Sequence, residues 1–317
     1  MILLPFQLGG RFRVGARRPD GRLRPLADWQ DNLILDAGLD MVATTNTYLD
    51  AVQAGTSGVA PTVEHTALLE PVAGTANRVS ANSAASGFAP WRGQSQITYR
   101  FPTGAVTGLI RELAVAPGAT PGSPAFSRVI LRNAVGKPAG VAPLADEALE
   151  VEYELSIYAP PNDVSGTTNI DGTSHGYTAR ASLASTTMHW APYDAASFGS
   201  SGQAAQASFS NTPGAHAVAY SGAIGSITSS PGGTAVNASG VGQQPYVPGS
   251  HERRVRLFWD LDVANFGGIR SLSLRMAPGS GAGGNSLGAY QVEFSPVAPK
   301  TSELGFFFDL GVAWGRA

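Results

Sequence analysis

In four stretches of this chain, large apolar residues recur at or near every second position: Ile97-Tyr99-Phe101, Ile110-Leu113-Val115, Phe126-Val129-Leu131 and Leu149-Val151-Tyr153-Leu155-Ile157. That period belongs to strands whose side chains point alternately to two faces. The intervening residues Thr98, Arg100, Glu150, Glu152, Glu154 and Ser156 are polar, so one face is wet and the sheet is expected to be antiparallel. Between such runs stand 39 glycines and 22 prolines in 317 residues, about a fifth of the chain where about 12% is usual, which excludes a bundle of long helices. One stretch has helical spacing: Leu33, Ile34, Leu39 and Val42 predict a short helix over Trp29–Val42, with Asp28 or Asp31 as N-cap. A strand is expected over Tyr48–Ala54, stopped by Gly55, and an exposed excursion over residues 75 to 95.

The same order of elements recurs toward the C-terminus. Val255-Leu257-Trp259 stands where Ile97-Tyr99-Phe101 stood, and Gly268-Ile269-Arg270-Ser271-Leu272 closing at Ala277-Pro278-Gly279 matches Leu109-Ile110-Arg111-Glu112-Leu113 closing at Ala116-Pro117-Gly118. Tyr290 to Phe294 takes the place of Phe126 to Leu131, and Asp309-Leu310-Gly311-Val312 that of Glu154-Leu155-Ser156-Ile157. The expected fold is mainly β: two antiparallel β-sandwich, jelly-roll-like domains related by tandem duplication, with one short helix near the N-terminus. The expected divisions are an Arg-rich arm over 1–27, one sandwich over 28–160 and a second over 161–317, joined near Pro160-Pro161-Asn162-Asp163. Residues 196 to 245, rich in Ala, Ser and Gly, suit packing against another chain or a long, closely laid excursion.

Charge narrows the partners. Charged residues are only 14% of the chain against about 25% in typical proteins, and hydrophobic residues are 43%, so a core can form. A formal charge of -2 supplies no global field for nucleic acid or an anionic membrane, and no apolar run approaches the about 18 residues of a membrane span. Neither nucleic acid nor membrane insertion is expected. Met1 to Leu8 lacks a basic leader, so a soluble chain without its own export signal is expected. Without cysteine there is no disulfide framework, thiolate metal site or thiol nucleophile. Of the 21 basic residues only Lys137 and Lys300 are lysine, and Arg11, Arg13, Arg17, Arg18, Arg22 and Arg24 cluster at the start. They read either as an arm docking on an acidic protein face or phosphate backbone, or as a first hairpin turning at Pro19-Asp20-Gly21.

The chemical motifs are weak. Gly279 to Gly284 fits G-x-G-x-x-G but precedes a strand rather than the helix a dinucleotide needs, and Gly172-Thr173-Ser174-His175-Gly176 fits G-x-S-x-G without the flanking strand and helix of a nucleophile elbow. His65, His175, His189, His216 and His251 never pair at metal-clip spacing. Asp260 with Asp262, and Glu150 with Glu152 and Glu154, could serve glycoside hydrolysis or Ca²⁺, or form exposed sheet faces guarded against edge pairing. Trp91, Trp190, Trp259, Trp314, Tyr193, Phe198, Tyr220 and Tyr246 suit core packing or a subunit seam better than a sugar platform. No catalytic residue, cofactor or metal is expected.

Trp29-Gln30-Asp31-Asn32-Leu33-Ile34-Leu35-Asp36-Ala37-Gly38-Leu39, then Val52 to Thr56, Ala60-Pro61-Thr62 and Thr66-Ala67-Leu68, resemble tailed-bacteriophage virion proteins of the tail-fibre and baseplate type. The resemblance continues through Gly108 to Val115, Phe126 to Leu131 and Asp146 to Leu155, covering about the first 160 residues. It implies a non-enzymatic structural virion component of the tail tip, baseplate or an attached fibre, assembled in the host cytoplasm with copies of itself and other virion proteins. The Arg-rich arm would anchor it. A receptor- or glycan-binding tail module contacting a host-surface receptor, and a capsid decoration protein, are the alternatives.

Overall fold

The computed structural model describes residues 1–86, 89–183, 190–192, 204–207, 209, 217–276 and 286–317. They are mainly β, with one short helix and several antiparallel sheets. The first half contains β1 (Ile2–Arg17), β2 (Leu23–Asp31), β3 (Leu33–Ile34), α1 (Asp36–Thr44), β4 (Ala51–Gly55), β5 (Pro71–Thr75), β6 (Arg78–Ala85), β7 (Arg92–Arg100), β8 (Glu112–Ala116), β9 (Ser127–Ile130) and β10 (Ala148–Tyr158). The second contains β11 (Val164–Ile170), β12 (Thr173–Ala181), β13 (Trp190–Ala191), β14 (Ala217–Tyr220), β15 (Ala235–Asn237), β16 (Gly240–Gln243), β17 (Glu252–Trp259), β18 (Ile269–Met276), β19 (Ser286–Ala298) and β20 (Phe306–Arg316). No helix among the described residues is long and apolar enough to cross a membrane.

Residues 1–27 do not form an arm. β1 lies inside an eight-stranded sheet of order β16-β17-β20-β1-β10-β7-β6, with β2 also on β1. The cause is a period of two: Ile2, Leu4, Phe6, Leu8, Phe12, Val14 and Ala16 are all buried, while the residues between them face outward. Each large side chain in that row contributes up to about 1.5–3 kcal/mol by leaving water. β1 runs antiparallel to β10 and parallel to β20, so it sews the two halves of the chain together.

Two smaller sheets back this large one, of orders β3-β9-β8-β4-β5 and β11-β12-β19-β18-β14-β15, the latter with β13 on β19. Tyr99 and Tyr153 meet Leu49 and Ser127 on the five-stranded side, and Tyr290 and Phe294 meet Pro5 and Phe308 on the seven-stranded side. The boundary expected at residue 160 therefore does not separate two cores. One cluster of buried residues runs from Ile2 through Val52, Tyr153 and Leu272 to Trp314.

Pairing order is the same in both halves. In the first, β6-β7-β10 lies in the large sheet and β5-β4-β8-β9-β3 in a smaller one; in the second, β16-β17-β20 and β15-β14-β18-β19-β12 do the same. Val255 faces Leu310 as Ile97 faces Tyr153, so Leu310 stands with Tyr153, two residues from the sequence alignment with Leu155.

Several local expectations change. The helix begins at Asp36, not Trp29, because residues 23–31 pair with β1 and Leu33-Ile34 pair with Arg128-Ser127. Leu35 is its N-cap, without a side-chain cap, so neither Asp28 nor Asp31 serves. Gly38 lets α1 approach β9: a Cβ there would fall 1.9 Å from the Phe126 carbonyl oxygen. The excursion expected over 75–95 contains the edge strand β6 and the first four residues of β7. In the Ala-rich stretch, Ala204, Ala205 and Ala207 are buried within this chain, with Ala207 N–H donating to the Val42 carbonyl at 2.7 Å. The Gly279–Gly284 motif and the Ala277-Pro278-Gly279 turn lie outside the described residues.

Because one core spans both halves, Leu4→Ala should cost about 2–5 kcal/mol. It should lower a single unfolding transition seen alike by tryptophan fluorescence and circular dichroism. Two separable transitions would mean that the halves fold independently.

Candidate functional site

The chemistry-bearing side chains concentrate on the outer face of the large sheet. Arg11 stands opposite Glu154 and Arg13 opposite Glu152 in the β1–β10 register. Arg11 Nε and Nη2 each donate to Glu154 at 2.9 Å, and Arg13 Nη2 donates to both Glu152 oxygens at 2.8 and 2.6 Å. Gly15 lies opposite Glu150, and Arg17 reaches diagonally to that carboxylate at 3.0 and 2.8 Å while Arg100 reaches it from β7 at 2.5 Å. Arg24 of β2 binds Glu147 at 2.8 Å, with Arg18 3.7 Å away. Polar contacts continue sideways: Gln96 donates to Glu152 at 2.6 Å and Ser80 to Thr98 at 3.0 Å.

The acidic row is therefore not an exposed face. Glu150 and Glu154 are only 4% and 5% accessible, covered by guanidiniums that remain partly in water. Burial pushes the Glu150 carboxyl up, but hydrogen bonds from Arg17 and Arg100 outweigh it and hold the group below its ordinary value. Glu147 is held down to about 2, first by Arg24 and then by the Leu144 N–H. Half-exposed ion pairs contribute little when considered alone, but removing one guanidinium here would strand a buried carboxylate. Trp29 adds a flat apolar body to the row, with the Arg11 and Arg13 guanidiniums 4.6 and 5.0 Å from its ring centre.

Of the six arginines singled out by sequence, four are thus committed to carboxylates on β10 or just before it. Arg18 is a looser fifth, and Arg22 is the most exposed, 3.8 Å from Asp20 at the hairpin tip. Two depressions flank the row. One of about 310 Å³ contains Gly9, Arg11, Asp31, Arg92 and Tyr158; the other, of about 480 Å³, contains Arg13, Leu23, Pro25 and Glu152.

A second charged feature was not anticipated. Arg128 and Glu112 are wholly buried on neighbouring strands, with Arg128 Nε donating to Glu112 at 2.7 Å. Glu112 also accepts the Glu70 N–H at 2.9 Å, and Arg128 donates to the Val59 carbonyl at 2.8 Å and to His65 Nδ1 at 3.0 Å. The pair pins the 57–70 loop to the five-stranded sheet. Gly55 makes room for it, since a Cβ there would lie 2.5 Å from a Glu112 oxygen. The sequence signal is a single charge in each of two short strands that carry no other charge.

The remaining candidates are scattered. Asp260 and Asp262 are exposed in the turn that follows β17, not on a strand face. Ser174 and His175 lie in β12, after a hairpin turn at Asp171-Gly172 where both φ values are positive; His175 Nδ1–H donates to the Pro296 carbonyl at 2.9 Å. His251 is 3.5 Å from Asp40, which accepts a 2.5 Å hydrogen bond from Tyr246. Burial, followed by Asp40, pushes the Tyr246 phenol up to about 12. Trp190, Trp259 and Trp314 are buried, Trp91 packs partly buried against the core, and Tyr220 is half-buried. His189, His216, Tyr193 and Phe198 lie outside the described residues. Among the described residues no group of three or more His, Asp or Glu side chains is placed to hold a metal ion.

The ladder makes two measurable demands. Glu154→Arg should destabilise the fold by placing like charges opposite each other, and Arg11→Glu in the same chain should restore most of the loss; failure of the swap to rescue would remove the pairing. Glu147 is depressed in the folded state, so its contribution is complete above the ordinary glutamate value of 4.5 and is lost as pH falls through that value toward about 2. Melting temperature should fall over that window, and Arg24→Ala should flatten the fall. At the buried pair, Arg128→Leu should cost about 3–5 kcal/mol by orphaning Glu112, with chemical denaturation as the readout.

The chain was compared with protein-family models, curated proteins and solved structures, and it matches none of them.

Proposed function

We propose that this chain is a non-enzymatic structural component of a bacteriophage virion, in the tail tip, baseplate or an attached fibre, working through assembly with copies of itself and other virion proteins. The observation that carries the reading is an apolar strip on the outer face of the large sheet. Phe307 is 63% exposed and stacked on Phe258, whose ring lies over Gly240, so the strip crosses β20, β17 and β16; the Arg256–Asp309 ion pair bounds it on the side toward Leu3. Flat apolar surface of this kind is stabilised when another protein covers it. At the opposite edge of the same sheet β6 pairs only with β7 among the described residues, so its outer edge offers backbone groups to a further strand.

The anchoring role expected of the arginines passes to this strip, because Arg11, Arg13, Arg17 and Arg24 are engaged within the chain. Reversing their charge should therefore disturb the fold itself. We also propose that the halves arose by tandem duplication of one sandwich, with β1 added between the copies; the common pairing order supports this.

In solution the purified chain should sediment as an oligomer, and Phe307→Asp should shift it to monomer without lowering its melting temperature. A wild-type monomer at high concentration would contradict the assembly reading. Labelled antibodies against the chain should decorate the tails of intact particles. Heads alone labelled would favour decoration of the capsid, and unlabelled particles would end the virion reading.

A further inference from the structure

The seven-stranded sheet ends at β11, and no strand among the described residues pairs with the outer side of β11. With β12 it forms a hairpin: Val164 to Ile170 pair with Ala179 to Thr173 without a register shift, around the two-residue turn Asp171-Gly172, where both φ values are positive. Residues flanking such a turn form a hydrogen-bonded pair, and hydrogen-bonded pairs then recur at every second position. Ile170, Thr168, Gly166 and Val164 therefore direct their backbone groups at β12, while Ser165, Thr167 and Asn169 direct theirs outward. The far side of β12 has the matching phase: just beyond it, Ser182 N–H donates to the Ala289 carbonyl at 2.9 Å, on the even positions that face β19. Ser165, Gly166, Thr167 and Asn169 are all exposed.

Edge strands are ordinarily guarded by charge, proline, a bulge or brevity. Elsewhere in this chain such guards are present: β6 has a register shift beside Arg78, β5 begins at Pro71, and β3, β15 and β16 have two to four residues. β11 has seven residues, no charge and no proline. Of the charges that flank it, Asp163 is bound by Arg180 at 2.8 and 2.6 Å and Asp171 lies in the turn. The three outward-facing residues are spaced evenly about Thr167, so the edge is complementary to itself. A second copy related by a two-fold axis at Thr167 would place Thr167 opposite Thr167 and Ser165 opposite Asn169 on both sides, and every outward N–H and C=O would find a partner. A slip of two residues would leave Ser165 or Asn169 of each copy facing no strand residue. The pairs that meet are Thr with Thr and Ser with Asn, side chains that hydrogen-bond across strands, and no like charges face each other within the strand. A polar edge this short buries less than the about 1,200 Å² of a stable interface, so it reinforces the contact through Phe307 and does not replace it.

We propose that two copies of this chain join their seven-stranded sheets edge to edge through antiparallel β11–β11 pairing centred on Thr167. The proposal rests on the reading that copies associate and adds a second contact, on a different sheet from the Phe307 strip. The test is oxidative cross-linking of the full chain, which has no cysteine of its own. Thr167→Cys should give a disulfide-linked dimer, because residues paired in this way have Cα atoms about 5.5 Å apart. Ser165→Cys and Asn169→Cys, each about 13 Å from its own counterpart, should stay uncross-linked alone and cross-link when mixed. Thr167→Pro deletes an outward N–H and no bond to β12, so added to both cysteine variants it should abolish that mixed cross-link at unchanged melting temperature. The Thr167→Cys cross-link should persist in Phe307→Asp, since oxidation traps even a short-lived pair; loss of the strip contact and loss of the edge contact are thereby read separately. In the unsubstituted chain, the amides of Ser165, Thr167 and Asn169 should gain protection from hydrogen exchange as concentration rises, while those of Gly166 and Thr168, already bonded to β12, should not change. Equal cross-linking at all three single sites, no cross-link at Thr167, or protection of the three amides that is independent of concentration would each overturn the proposal.

Discussion

The whole molecule depends on where its first strand lies. β1 presents an apolar row to the core, interrupted at Gly10, and a row of guanidiniums to the outside, and the strand beside it, β10, carries the carboxylates that pair with them. The two faces enforce one register. A slip of one residue would send Phe12 and Val14 outward and bury Arg11 and Arg13, breaking the apolar and ionic arrangements together. Because β1 also pairs in parallel with β20, that one register fixes the placement of the C-terminal strand as well.

Close backbone approach is the second constraint. A Cβ at Gly93 would lie 1.3 Å from the Trp190 carbonyl oxygen, and one at Gly38 would meet Phe126, so glycine permits elements from distant parts of the chain to touch. The buried Arg128–Glu112 pair acts in the same sense. Its stabilisation is modest once desolvation is counted, but its geometry admits only one position for the loop that supplies Val59, His65 and Glu70. The strip around Phe307 is among the apolar surfaces that this packing leaves exposed.

Much of this was legible in the residues. Alternation located β7, β8, β9 and β10, and the recurrence of their pattern located strands at β17, β18, β19 and β20. Of the two readings of the arginine cluster, the hairpin turning at Pro19-Asp20-Gly21 is the one that forms, and the arm is not: Arg11, Arg13 and Arg17 alternate with Phe12, Val14 and Ala16, which is itself a strand signal. The glutamate row was misplaced for a related reason: a period of two says that a face is polar, not what covers it. That Glu150 and Glu154 are buried depends on a strand over 130 residues away. The helix start shifted for a similar reason, since Leu33 and Ile34 satisfy helical spacing yet find strand partners in Ser127 and Arg128.

If β1 is an interior strand, its amides are bonded on both sides and open only with the core. Native-state hydrogen exchange reads this directly. The amides of Leu4, Leu8, Phe12 and Val14 should exchange as slowly as those of Val151 and Tyr153 in β10. Exchange throughout residues 2–17 as rapid as at the exposed tip around Gly21 would show a loosely attached arm and contradict the account.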